Sequence, residues 1–315
     1  MDNEESLCKN LELWMTQLPA IIRNIPIIHL AIPGSHNSMT YTINSYNNFG
    51  GEFPLVDDYN INVSSAIKWM INQDKSVKEQ LNGGIRYLDL RVCAQSDSDS
   101  IYFVHGLCGS EITEPLQEIN EWLSSHPSEF VILDFQYFHS FSEDNHRQLV
   151  KKIKNIFNGK ICPFSKKINE ITLQWLSSEK YQILIIYREI IEKNFYNFWP
   201  SDMWPKNSSD IMNFDEFEEF LNKTIVTRST EIGCILQCIP NPQGNYIIQE
   251  DLLSDDLRKE FTENFRDDTC YWINIYPAGP EGINVVTTDY VSYSDFLFSK
   301  TVIKRNASHL YEYDD

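Results

Sequence analysis

Apolar and polar positions alternate along this chain with two different periods. Short β-branched runs occur at 27–32 (IIHLAI), 85–92 (IRYLDLRV), 101–105 (IYFVH), 129–136 (EFVILDFQ), 181–187 (YQILIIY), 232–239 (IGCILQCI), 271–276 (YWINIY) and 283–288 (INVVTT), and each predicts a strand. Longer stretches of helical period lie between them. "TEPLQEINEWLSSHP" opens at Thr113, carries Glu114 and Pro115 in its first turn and stops before Pro127. "SEDNHRQLVKKIKNIF" starts at a capping Ser142 with acids early and lysines late, and "EDLLSDDLRKEFTENF" follows the same scheme. Strands alternating with helices predict a parallel sheet covered on both faces. About eight strands in a chain of this length predict an α/β fold of distorted (β/α)8 barrel type, with an open doubly wound sheet as the other arrangement.

Pro, Gly and Asn are spread evenly, without repeat or linker, so residues 1–305 read as one domain and 306–315 as a polar tail expected to fray. Composition narrows the partners. The 26 Lys and Arg against 45 Asp and Glu give a net charge of −19, which argues against sequence-independent nucleic-acid binding and against strong docking on an anionic membrane. No apolar run approaches the roughly 20 residues that span a bilayer, and the acidic "MDNEESLCKN" start lacks a signal-peptide profile. The expected location is therefore cytoplasmic, with peripheral membrane contact. The 7 cysteines fit neither a disulfide framework nor a zinc pattern and are expected to be reduced, buried thiols.

The strand ends carry the chemistry. His36 follows the first run across Pro33-Gly34, and barrel sites form where strands end and loops begin. His29, within the same run, reads as a satisfied structural histidine. In "IRYLDLRV", Asp89 and Arg91 are two apart and share a face, while Arg86 points the other way. His105 ends the next run, and Asp289 ends "INVVTTD". Two imidazoles supply a general base and a general acid, an arginine fork stabilises charge on phosphate oxygens, and a carboxylate orients the base. That set suits phosphoester cleavage.

The segments "LAIPGSHNSMTY", "GGIRYLDLRV", "FVHG", "EWLSSHPSEFVILDF" and "NVVTTDYV" resemble phosphatidylinositol-specific phospholipase C X-domain proteins, most closely the small stand-alone X-domain group. The resemblance implies a distorted (β/α) barrel. It further implies cleavage of phosphatidylinositol-type lipids at a membrane surface to diacylglycerol and a cyclic inositol phosphate. It casts His36 as the base on the inositol 2-hydroxyl, His105 as the acid for the leaving group, and Asp289 as the acid paired with His36. Arg91 stands where bacterial relatives use arginine and animal signalling enzymes a calcium-binding carboxylate, with Asp89 at the acidic position two before it. Gln136 stands at a later calcium-ligand position. With Arg91 and Gln136 in those places no metal or other cofactor is expected, calcium included. Asn37 replaces the aspartate of bacterial relatives, which implies weaker activity and leaves an inactive inositol-phosphate or protein binder, or a phosphodiesterase for another headgroup, as alternatives.

Asn37, Asp134, Gln136 and Arg188 complete the expected substrate contacts. Trp122 and Trp175 read as core, and Trp199 and Trp204, in "NFWPSDMWP", as a membrane-facing or substrate-covering rim. A recruiting partner is not identifiable from the residues.

Overall fold

The computed structural model describes residues 2–44, 50–51, 58, 60–95, 100–164, 167–189, 197–208, 214–240, 247 and 256–310. Among the described residues seven strands run parallel around a curled sheet: β1 (Ile32–Ser35), β2 (Tyr87–Ala94), β5 (Val131–His139), β6 (Ile183–Tyr187), β7 (Lys206–Asn207), β8 (Ile235–Gln237) and β9 (Val285–Thr288). An antiparallel hairpin, β3 (Ile101–His105) and β4 (Leu107–Glu111), hangs on the far edge of β2. Seen around the barrel the order is β6-β5-β2-β1-β9-β8-β7. Between β6 and β7 the ladder is interrupted, and Ile186 and Trp199 bridge the seam.

Helices cover the outer face. Five are α1 (Val77–Asn82), α2 (Thr113–Ser125), α3 (Glu143–Ile156), α4 (Leu173–Glu179) and α5 (Phe214–Thr227). Two more, α6 (Asn264–Ile275) and α7 (Tyr293–Lys304), follow near the end of the chain. Their starts follow the capping logic of the sequence. Ser142 and Asn145 form a reciprocal box at α3, as Ser76 and Glu79 do at α1. Trp122 is buried between α2 and the sheet, and its indole donates to Asn82 Oδ1 at 2.7 Å. Trp175 packs against the apolar cluster that fills the barrel interior with Ile32, Tyr87, Ile132, Leu184 and Val285.

Several expectations change here. The run 27–32 is not all strand: Ile27–His29 is a 3-10 turn, and β1 begins at Ile32 and contains Pro33 and Gly34. Proline is tolerated because pairing with β2 starts only at Gly34↔Tyr87, so the missing N–H falls before that ladder. Gly34 is required by crowding, since a Cβ there would sit 2.7 Å from the Tyr87 ring and 2.9 Å from Thr287. The run 271–276 is the end of α6 rather than a strand. Trp272 and Ile273 are buried and Tyr271 and Ile275 exposed, which is a helical periodicity written in β-branched and aromatic residues. β4 and β7 had no sequence signal.

Trp199 and Trp204 are fully buried rather than on a rim. Their loop crosses the β6–β7 seam and supplies the hydrogen bonds and volume that a further strand would provide. Trp199 N donates to Ile185 O at 2.8 Å, and Tyr187 N to Trp199 O at 3.1 Å. The tail also differs. Arg305–Leu310 is a 3-10 turn whose buried Asn306 side chain both donates to and accepts from the Ala31 backbone, at 2.9 Å each way. Residues 311–315 lie outside the described part. Among the described residues no helix is long and apolar enough to cross a membrane.

Candidate active site

The carboxyl ends of β1, β2, β3, β5 and β9 bring the polar strand ends together. β1 and β9 are in register through Ser35↔Thr288, so His36 and Asp289 leave adjacent strands side by side. His36 Nδ1 donates to Asp289 Oδ1 at 2.8 Å, which fixes the tautomer with a bare Nε2. Arg91 Nη2 donates to that Nε2 at 3.2 Å. Asp89, one step deeper on the same face of β2, lies 3.5 Å from Arg91 Nε and 3.9 Å from His36 Nε2. Burial alone would raise the Asp89 carboxyl, but Arg91, Lys206 and His36 outweigh it and hold it below the ordinary carboxylate value.

His105 is anchored differently. Its Nδ1 donates to Met70 O at 2.7 Å, leaving Nε2 as the nitrogen without a proton. Burial, with Arg91 adding to it, pushes the imidazole down to about 3 against the pull of the Met70 carbonyl. His105 is therefore neutral in the free protein. Asn37, in left-handed backbone (φ 43°), is buried next to it. Its Nδ2 donates to Asn72 Oδ1 at 2.8 Å and stands nearly equidistant, at 3.5 and 3.4 Å, from the two His105 nitrogens. This places Asn37 under the histidine rather than facing the open cleft.

Asp134, Gln136 and Arg188 share the cleft on its β5–β6 side. A bulge opposite Leu90/Arg91 puts Gln136 out of the β2–β5 register. Asp134 is fully buried and accepts from Tyr87 Oη at 2.7 Å and from Arg188 Nη2 at 2.7 Å. Burial works against the Arg188 charge, but Asp134 more than compensates and holds the guanidinium above its ordinary value. Asp134 thus reaches the cleft through Arg188 and, at 3.4 Å, through Gln136 Nε2. Gln136 donates to Tyr87 Oη at 2.8 Å and accepts from Lys206 Nζ. Of the remaining sequence candidates, His29 Nε2 lies 3.0 Å from Thr230 O, away from this cluster. Arg86 makes a fully buried pair with Glu129 at 2.7 Å.

Two residues of the cleft were missed from the sequence. Lys206 occupies the two-residue β7, too short for any periodicity to show. Burial lowers its ammonium, with Asp89 pulling up and Arg91 down. Gln73, fully buried before α1, donates through Nε2 to His36 O and Thr288 O at 3.0 Å each. It also accepts from Val291 N at 3.1 Å through Oε1. One amide therefore fastens the turn after β1 to the turn after β9. A glutamine in a loop carries no sequence signal for such a role.

Known proteins share this arrangement of chain and fold. A family model described as PI-PLC X 1 matches residues 63–152, which hold Asp89, Arg91 and His105. PI-PLC X domain-containing protein 3 of Mus musculus is 33% identical over 302 residues, covering 93% of this chain and 92% of the relative. PI-PLC X domain-containing protein 1 of Homo sapiens is 37% identical over 204 residues, covering 61% and 62%. Among solved structures, a mutant of the phosphatidylinositol-specific phospholipase C from Staphylococcus aureus superposes with a TM-score of 0.66 at 17% identity, over 96% of this chain and 98% of that one. The Listeria monocytogenes phosphatidylinositol-specific phospholipase C gives 0.58 at 17% identity, over 94% and 98%. These likenesses show the distorted barrel fold. On the strength of the relatives that match it nearly end to end, the chain belongs to the PI-PLC X domain family.

Proposed function

We propose that the chain is a phosphodiesterase that cleaves phosphatidylinositol-type lipids to diacylglycerol and a cyclic inositol phosphate without calcium. The observation that carries this reading is the His36–Asp289–Arg91 arrangement. The base has its Nδ1–H held by a carboxylate and its Nε2 lone pair facing the guanidinium that would bind the phosphate. In the free site Arg91 occupies the lone pair. The two non-bridging oxygens of a phosphodiester compete for Arg91 by a charge-assisted bidentate contact and release Nε2 to take the proton of the inositol 2-hydroxyl. The hydroxyl oxygen then attacks phosphorus, and His105 Nε2 protonates the departing glycerol oxygen.

For His105 to act as the acid it must first gain a proton, and the incoming phosphate anion is the group that makes this favourable. Arg188, Lys206 and Gln136 line the side of the cleft where the inositol hydroxyls would lie. Calcium ligation fits the donor set poorly. The Asp89 carboxylate already faces Arg91, and the Gln136 oxygen already faces Lys206.

The test uses vesicles containing phosphatidylinositol, a calcium chelator, and detection of the cyclic inositol phosphate. Release by the wild type, and its loss in both His36→Ala and Arg91→Ala, is the expected result. Binding of inositol phosphate without any turnover would replace this reading with that of a non-catalytic binder.

A further inference from the structure

Cys93 on β2 and Cys108 on β4 flank β3, and their sulfurs approach to 3.0 Å. Cys93 lies two residues beyond Arg91, and Cys108 lies three beyond His105, just past the Gly106 turn. Both are buried against Val104. The two thiols are unequal. Their mutual hydrogen bond draws Cys108 down to about 7 and pushes Cys93 up, and Gln95 Nε2 also donates to the Cys108 sulfur at 3.4 Å. A thiolate beside a protonated thiol is the asymmetry that stepwise disulfide formation requires.

The covering over the pair is thin. Gly50 is held there by its N–H to Gly106 O at 3.1 Å, and a Cβ at that position would lie 2.2 Å from the Cys108 sulfur and 2.8 Å from the Cys93 sulfur. Only glycine fits, so on this side, among the described residues, the sulfurs are covered by nothing bulkier than backbone.

We propose that Cys93 and Cys108 are a reversible redox modification site, closed to a disulfide by peroxide, that ties β2, which carries Arg91, to β4 across β3, whose last residue is His105. The Cys108 thiolate attacks one peroxide oxygen, the O–O bond breaks, and hydroxide leaves, giving a sulfenic acid. The Cys93 sulfur then attacks the Cys108 sulfur, and the sulfenic hydroxyl leaves as water with the Cys93 proton. In sum, two thiols and one hydrogen peroxide become one disulfide and two waters. A disulfide bond is about 2.05 Å long, so the sulfurs must close by about 1 Å. That displacement is drawn from β2 and β4, and misplacements of that size disturb catalytic alignment.

The experiment treats the full chain with hydrogen peroxide, blocks the remaining thiols with N-ethylmaleimide after unfolding, and reads the intact mass and peptide map. Expected is a Cys93–Cys108 linked peptide, loss of two of the 7 thiols, a mass about 2 Da lower before blocking, and full reversal by dithiothreitol. In Cys93→Ser the oxidation stops at a Cys108 sulfenic acid that dimedone traps. Alkylation of every thiol after oxidation, or random pairing among the cysteines, overturns the proposal, and the wild-type map decides even if the variant does not fold. The coupling to the site rests on the phosphodiesterase reading: oxidation should lower turnover at least about tenfold, and an unchanged rate overturns the coupling. The linkage is read by mass, so a failure of the phosphodiesterase reading leaves it standing.

Discussion

The depressed His105 makes a prediction about stability that does not depend on turnover. Unfolded, the imidazole titrates near about 6.5. Folded, burial and Arg91 push it down to about 3. The unfolded chain therefore binds this proton first as the pH falls. The stability that neutral His105 contributes is fully present above about 6.5 and is lost progressively as the pH drops towards about 3, at about 1.4 kcal/mol per pH unit. Between pH 7.5 and 5.5 the loss is about 1.4 kcal/mol, nearer about 1 kcal/mol once water entering the open cleft is allowed for.

Other groups titrate in the same range, so the assay is a difference. Urea unfolding of the wild type and of His105→Gln is compared at several pH values in that window, above the sequence pI of about 4.7. The variant keeps a neutral donor for Met70 O and loses the titration. The stability gap between the two should shrink by about 1 kcal/mol as the pH falls from 7.5 to 5.5. Parallel curves would refute the burial argument, and with it the need for a phosphate to charge the acid. The same protein offers a direct check by NMR. The His105 ring signal should not titrate between pH 8 and 5 in the free chain, and myo-inositol phosphate should bring its titration into that range.

Two further changes probe the frame. Gln73→Glu keeps the shape and the acceptor for Val291 N but turns a carboxylate oxygen towards His36 O and Thr288 O. Thr288 O keeps the His36 N–H at 3.1 Å, so the His36 carbonyl is the one orphaned; denaturant unfolding should show a loss of about 1–3 kcal/mol at pH 7.5, partly recovered near pH 5.5 where the carboxyl protonates and donates again. An unchanged midpoint would show that Gln73 does not hold the two turns. At the barrel floor, Glu129→Ala strands the buried Arg86 charge and should cost about 3–5 kcal/mol, while Arg86→Met combined with Glu129→Leu should recover most of it. A double variant no better than the single one would count against an electrostatic origin.

The sequence was most informative where a polar residue interrupts an apolar period. His36, Asp89, Arg91, His105 and Asp289 each stand out against a buried run, and the structure brings all five to one end of the barrel. Parity also separated Arg86, which pairs below with Glu129, from Arg91 above. What stayed hidden depends on long-range partners. Lys206 sits on a strand of two residues, and Gln73 matters only because β1 and β9 happen to end beside it. "YWINIY" has strand propensity, yet packing on α5 through Asn222, which accepts from Trp272 and Tyr276, makes it helix. The tryptophans of "NFWPSDMWP" look exposed because proline-rich loops usually are. Here the loop fills the seam that the barrel leaves open.

On the phosphodiesterase reading, the charges of the cleft keep both proposed proton carriers idle until substrate arrives. Asp89 faces Arg91, Asp134 faces Arg188, Lys206 feels both of these carboxylates, and Asp289 holds the Nδ1–H of His36. In that arrangement Arg91 is turned onto the His36 lone pair, and at His105 burial and Arg91 outweigh the pull of Asp89 on a proton. A phosphodiester adds one negative charge beside Arg91. On the reading proposed here that single charge does two things: it draws the guanidinium off the base, and it makes a proton on His105 favourable. Asn37 then has a physical meaning. An aspartate under His105 would favour the protonated ring in the resting site, whereas the amide leaves that task to the substrate, so turnover becomes limited by how well the headgroup phosphate is seated.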